Sequence, residues 1–270
     1  FTPVITRISY NGSSFVYVAY EADAVLIAWA LFKDGIYHSR GDVVSLPLGP
    51  DDDVPTSPSI VAHNALDFDL VWRKGTVVWY RRGHIEYDPK SYTYSILWFA
   101  TEEMVPLGNR PAVGAPTISY CKDFSGGNVN AAIACETGAS APYGVGLTFR
   151  RPSGVWWHVQ TFIIANEVGR LWAPSISMLN EQAIWSGFEH FRIAYNYTDN
   201  FVSGVPTTRQ VWAMQPAFDS YGNLIDYPVE IQGPDALHPS VVTRPPAGGN
   251  LSIFTGLSGT AISSVPTLVE

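Results

Sequence analysis

The chain has 270 residues and a formal net charge of -8, with 46% hydrophobic and 15% charged residues. That is ample for a large buried core, and so apolar a composition excludes a disordered chain. With 16 Lys and Arg against 24 Asp and Glu the basic face that nucleic acid needs is missing, and no apolar run reaches the ~18 residues of a membrane span.

A chain that begins at Phe1 reads as a processed mature protein or an excised piece. The 23 Gly and 20 Pro imply many turns, and 9 Trp, 14 Tyr and 13 Phe favour strands. Apolar residues alternate with period two in Phe15–Tyr20, Asp67–Trp72 and Leu251–Phe254, and no capped amphipathic stretch is long enough for a helix. The expected fold class is all-β.

Taken in chain order, the first strands share a pattern of a small or polar residue, Pro, and a β-branched alternation. It occurs at Thr2-Pro3-Val4-Ile5, Ser57-Pro58-Ser59-Ile60, Ala115-Pro116-Thr117-Ile118, Ala173-Pro174-Ser175-Ile176 and His238-Pro239-Ser240-Val241, with prolines 55, 58, 58 and 65 residues apart. Pro is allowed at the first residue of a strand, where the ladder has not begun. Second strands are expected at Phe15–Tyr20, Phe68–Trp72, Val129–Cys135, Phe191–Tyr195 and Leu251–Thr255. Third strands follow at Leu26–Trp29, Thr76–Tyr80, Val145–Phe149 and Arg209–Trp212. Outer strands are expected at Val43–Leu46, Tyr94–Phe99, Trp156–Phe162 and Tyr227–Ile231. Four strands per unit is a β-propeller blade, and blades stack because one such sheet cannot bury both faces alone. The expected architecture is a single propeller domain over 1-270, with units at about 1-56, 57-114, 115-172, 173-237 and 238-270. The last unit is short, with room for three strands.

These strand motifs resemble sialidase-like repeat propellers. The matching residues are Pro58-Ser59-Ile60, Leu70-Val71-Trp72 and Val78-Trp79-Tyr80-Arg81-Arg82 in the second unit. In the third they are Pro116-Thr117-Ile118 and Phe149-Arg150-Arg151-Pro152-Ser153-Gly154-Val155-Trp156. The Asp-box turn of that family is degenerate or absent. Leu171-Trp172-Ala173-Pro174 is similar to a strand start in arabinanase-type propellers.

Two cysteines, Cys121 and Cys135, flank a Gly-rich loop, and a hairpin there would bring them together as a disulfide; two buried thiols is the alternative. Asn11, Asn196 and Asn250 each begin an N-glycosylation triplet. Together these features suggest a secreted or cell-surface glycoprotein.

In a propeller, the loops before the first strand and after the second strand open on one face. Here they hold Asn109-Arg110, Arg170-Leu171-Trp172 and Asp235–His238, then Arg73-Lys74, Glu136–Tyr143 and Asn196–Thr208. Acids, guanidinium groups and aromatic rings are the mixture that sugars need, because rings stack on their apolar faces and charged planar groups bind their hydroxyls. The candidate ligand-binding residues are Trp172, Arg110, Arg73, Glu136, Asp235 and His238. Trp172 is expected to be an exposed loop residue. Trp29, Trp72, Trp79 and Trp212 lie in alternating strands and read as packing. Asp51, Asp52 and Asp53 could hold Ca²⁺ or form a solvated acidic turn. No other cofactor is suggested: the six histidines have no metal spacing, and no P-loop or nucleophile elbow occurs.

The leading functional expectation is a non-enzymatic, lectin-like recognition module for a glycan or glycoprotein. Two alternatives stand beside it: a glycan-active hydrolase or lyase with carboxylates in the channel mouth, and a structural or adhesive propeller in a larger assembly. The short last unit raises the possibility of homo-oligomers formed through the C-terminal blade.

Overall fold

The computed structural model describes residues 3–22, 26–43, 55–62, 66–99, 102–120, 131–138, 140, 143–150, 153–163, 169–178, 191–198, 209–214, 229–232, 236–244, 250–258 and 261–269. After residue 198 it describes backbone alone. No helix occurs among these residues, so none is long and apolar enough to cross a membrane.

The chain divides into two compact units, Phe1–Val105 and Pro106–Glu270. The first holds two sheets. One is β1 (Val4–Tyr10), β2 (Ser13–Ala22), β3 (Leu26–Lys33) and β4 (Ile36–Asp42); the other is β5 (Pro55–Ala62), β6 (Asp67–Lys74), β7 (Val77–Asp88) and β8 (Thr93–Trp98), with the short β9 (Glu103–Met104) also paired to β7. The second unit holds three sheets. They are β10 (Thr117–Tyr120), β11 (Ala131–Thr137), β12 (Gly144–Arg150) and β13 (Trp156–Ile163); β14 (Arg170–Met178), β15 (Phe191–Thr198), β16 (Arg209–Met214) and β17 (Val229–Gln232); and β18 (Ala236–Arg244), β19 (Asn250–Ser258) and β20 (Ala261–Val269). Each is an antiparallel meander in chain order. These are the blades of a β-propeller, and the last has three strands, as its length suggests.

Turn chemistry sets several hairpins. β1 and β2 are joined by Asn11-Gly12, and β3 and β4 by Asp34-Gly35, all four residues having positive φ (49°, 80°, 49° and 82°). Two consecutive positive-φ residues make the primed turn whose twist matches the strands it joins. This corrects the expected outer strand of the first blade. Asp34-Gly35 reverses the chain at once, so the fourth strand is Ile36–Asp42, not Val43–Leu46.

The repeated prolines also sit differently from expectation. The pairing of β5 with β6 slips between Thr56 and Ser59, that of β14 with β15 between Trp172 and Ser175, and that of β18 with β19 between Leu237 and Ser240. Each slip spans an X-Pro pair: Ser57-Pro58, Ala173-Pro174 or His238-Pro239. In these three blades the strand therefore begins before the proline, which occupies a bulge rather than the strand's first residue. A bulge suits a residue that has no N–H to donate. Ser57 and Ala173 both take positive φ, 54° and 47°, a strained conformation for a residue with a Cβ. The N–H of Ser57 instead donates to Glu21 Oε1 at 2.5 Å.

In the first unit the two sheets share one core. Tyr17 lies tilted against Phe68 with ring centroids 4.1 Å apart and stacks on Trp29 at 5.9 Å, while Trp72 is fully buried among these residues. Trp29 and Trp72 are packing residues, as expected, and Trp79 packs against the same core. The sequence pattern gave no hint of a buried charge here. Asp69, fully buried on β6, accepts from Tyr80 Oη at 2.6 Å and from Arg82 Nε and Nη2 at 2.8 and 3.1 Å. Burial works against the Arg82 charge, but the hydrogen bond and charge of Asp69 outweigh it and hold the guanidinium above its usual range. A buried ion with this many partners is a structural fixture.

The expected disulfide does not form. Cys135 is a buried thiol, its Sγ within 3.4 Å of the carbonyl oxygens of Gly114 and Glu136. Thr117 pairs with Ala134 and Tyr120 with Ala131, so Cys135 sits at the end of the ladder where β10 begins, while the chain leaves β10 toward residue 121 at the other end. A disulfide needs the two Cα atoms within about 7 Å, and the last residue of β10, Tyr120, pairs with Ala131, four positions before Cys135. Cys121 itself lies outside the described residues.

Candidate functional site

Strand register defines one equivalent position per blade. Ile5, Ile60, Ile118 and Ile176 of the repeat motif pair with Val18, Leu70, Ile133 and Ile193. Three residues beyond each partner stand Glu21, Arg73, Glu136 and Asn196. All four lie at the end of a second strand, where the sequence analysis places the ligand-facing loops. At this position the blades differ in chemistry, while the alternation around it is shared.

Glu136 is the last residue but one of β11 and is buried, its side chain 4% exposed. Its main chain is clamped to the preceding segment. Val113 N–H donates to Glu136 O at 2.9 Å, Gly138 N–H donates to Pro111 O at 2.9 Å, and Ala112 bridges to Thr137. The carboxylate meets Arg170 from the next blade, whose Nε and Nη2 both lie 2.5 Å from Oε1. The other oxygen faces Gly114. A Cβ at that position would stand 2.8 Å from both Oε2 and Cβ of Glu136. Glycine is therefore what allows the carboxylate to lie there.

Arg170 opens β14. Its guanidinium carbon lies 5.7 Å from the ring centroid of Tyr143 and 5.9 Å from that of Trp172, within cation–π range of both. Arg170 pairs with Thr198 and Trp172 with Asn196. Cross-strand partners and residues two apart share a face, so Arg170, Trp172, Asn196 and Thr198 stand together on one face of the fourth blade. The Trp172 indole N–H donates to Thr198 Oγ1 at 2.9 Å. Trp172 is thus a half-buried strand residue, not the exposed loop residue expected from its position before a proline. Next to Asn196, burial pushes the Tyr195 phenol above its ordinary range.

Among the described residues the structure brings Glu136 and Trp172 together through Arg170. Arg73, the last residue but one of β6, is half-buried in the first unit, and Arg110 is half-buried on the segment before β10. His238 lies in β18, at the bulge; its side chain is not described. Asp235 and the Asp51, Asp52 and Asp53 run lie outside the described residues. Asn196 is fully buried within β15, so it cannot carry the N-glycan that its triplet suggests. Asn11 lies in the exposed β1–β2 turn, and the Asn250 side chain is not described. The buried thiol and the buried Asn196 remove two of the grounds for a secreted glycoprotein. Sequence reasoning missed the central part of Arg170 and Tyr143, although both fall in the loops it named. The available signal was the arginine directly before Leu171-Trp172.

No family model matches the chain, and no curated protein matches it. Solved structures do. A sialidase from Trypanosoma rangeli, solved with the inhibitor DANA, is 11% identical, with 97% of this chain and 46% of that one covered and a TM-score of 0.50. Arabinanase Arb43A from Bacillus subtilis is 12% identical over 99% of this chain and 93% of that one, at a TM-score of 0.44. A GH43 endo-arabinanase from Bacillus licheniformis is also 12% identical over the same shares, at 0.42. At these identities the sialidase likeness establishes the propeller fold, and this chain spans about half the length of the sialidase.

Proposed function

We propose that this chain is a glycan-active hydrolase with Glu136 at its reacting centre. The observation that carries the proposal is the buried Glu136 carboxylate, fixed by Arg170, whose guanidinium in turn lies within cation–π range of the rings of Tyr143 and Trp172. This reading replaces the expectation of a non-enzymatic lectin. The solved structures with this fold are named as a sialidase and arabinanases, which are enzymes. The lectin reading also leaned on an exposed Trp172 that the fold does not contain.

Cleavage of a glycosidic bond develops positive charge at the anomeric carbon. A carboxylate in a fixed orientation can stabilise that charge as a nucleophile or take the proton of an attacking water. The guanidinium of Arg170 suits Glu136 to these anionic roles rather than to proton donation. The rings of Tyr143 and Trp172 offer apolar faces to the sugar's C–H groups.

The test is release of reducing sugar from a panel of neutral and acidic polysaccharides by the full chain. Glu136→Gln should lower the rate by about 10²- to 10⁴-fold while the variant stays folded. No hydrolysis of any polysaccharide, or an undiminished rate in Glu136→Gln, sinks the proposal.

A further inference from the structure

Asn196 is the second unusual group at this site. It is 0% exposed, and neither its Oδ1 nor its Nδ2 has a hydrogen-bond partner among the described residues. Burying an amide without partners works against folding, so a residue kept in that state calls for a use that folding itself does not supply. Its place in the fold points to one. It occupies on β15 the position that Glu136 occupies on β11, and it stands directly opposite Trp172 on the face that also carries Arg170.

We propose that Asn196 is the amide that binds the hydroxyls of an uncharged sugar ring seated beside Glu136. This rests on reading the Glu136 cluster as a glycan site. An amide presents a donor and an acceptor side by side, which match two neighbouring hydroxyls, one accepting and one donating. The charges at the site argue for a neutral ring. Arg170 already faces the Glu136 carboxylate at 2.5 Å, so its charge is engaged within the protein rather than offered to a sugar acid. The chain as a whole carries -8, which disfavours polyanions further. The sugar reaches Asn196 when the half-buried Trp172 ring, its cross-strand neighbour, turns aside and gives up its bond to Thr198. The ring then offers its face to the sugar.

The test uses affinity electrophoresis through gels containing linear arabinan, arabinoxylan or β-glucan as neutral probes, and polygalacturonate as the acidic one. The full chain carries Glu136→Gln so that retardation reads binding without turnover. At least one neutral probe should retard it, and polygalacturonate should not. Adding Asn196→Leu, of similar volume, should weaken the neutral retardation at least tenfold and raise the melting temperature, because an unpartnered amide is removed. If Asn196→Leu does not fold, Asn196→Ala should show the same tenfold loss. Undiminished retardation overturns the proposal, as does a lower melting temperature in Asn196→Leu, which would mean that the fold itself satisfies the amide. Failure of every neutral probe to bind, or stronger binding of polygalacturonate, overturns the neutral-sugar assignment. An undiminished rate of hydrolysis in Glu136→Gln would remove Glu136 from the reacting centre and leave this comparison of binding intact.

Discussion

At the scale of single residues, the site depends on a side chain that is missing. Gly114 leaves the space into which Glu136 Oε2 fits, and a methyl group there would come within 2.8 Å of the Glu136 Cβ, an atom with little freedom to move. Gly114→Ala should therefore displace the carboxylate while leaving the blade intact. A misplacement near 1 Å costs about a hundredfold in rate, so hydrolysis should fall by about that factor with an unchanged far-ultraviolet circular dichroism spectrum. A folded Ala variant with the parent rate would show that the reaction does not depend on the position of Glu136. Glu136 was legible in the sequence as an acid in a ligand-facing loop. Gly114 was not, because a glycine's neighbours in space cannot be read from its neighbours in the chain. Arg170 was legible only as a charge before a tryptophan; its meeting with Glu136 is a contact between residues 34 apart.

At the scale of elements, the hairpin turns tie local chemistry to pH. Asp34 sits in the β3–β4 turn, and its Oδ1 accepts the Ser14 N–H at 2.7 Å. That backbone hydrogen bond holds the carboxyl below its usual value of 3.8. A carboxyl whose folded pKa lies below its unfolded one adds stability that is complete above the unfolded value and is lost as pH falls through the folded one. Asp34→Ala should thus lower the denaturation midpoint at neutral pH, and the gap from the parent should close in acid, below about pH 3. A gap that stays constant down to that pH would mean that the carboxylate charge is not what secures the turn. The Asp34-Gly35 turn signal is present in the sequence, and it places the outer strand seven residues earlier than the expected Val43 start. The X-Pro bulges were harder to see. Their prolines mark where the ladder must break, but only the register shows that the strand begins before the break.

At the scale of the whole molecule, the three-stranded blade leaves an edge. Among the described residues β20 pairs with β19 alone, and residues 260–269 carry no charge. Strand edges are normally blunted by charge, proline or cover, and here Pro266 is the one such device within the strand. The chain should associate weakly with rising concentration, and Thr267→Lys should suppress this by adding charge to the edge. Static light scattering reads both. A monomer at every concentration in the parent would mean that Pro266 is protection enough.

The sequence by itself determined the all-β propeller class and the recurrence of its blades, because alternation, turn residues and a repeated Pro motif are local signals with local causes. It also marked the end of the strands at which chemistry should be sought. Tertiary structure decided which residues meet there. The pairing of Glu136 with Arg170, the space at Gly114 and the burial of Asn196 all depend on strand register and on how one blade faces the next. Such contacts join residues tens of positions apart, and no pattern within a single strand encodes them.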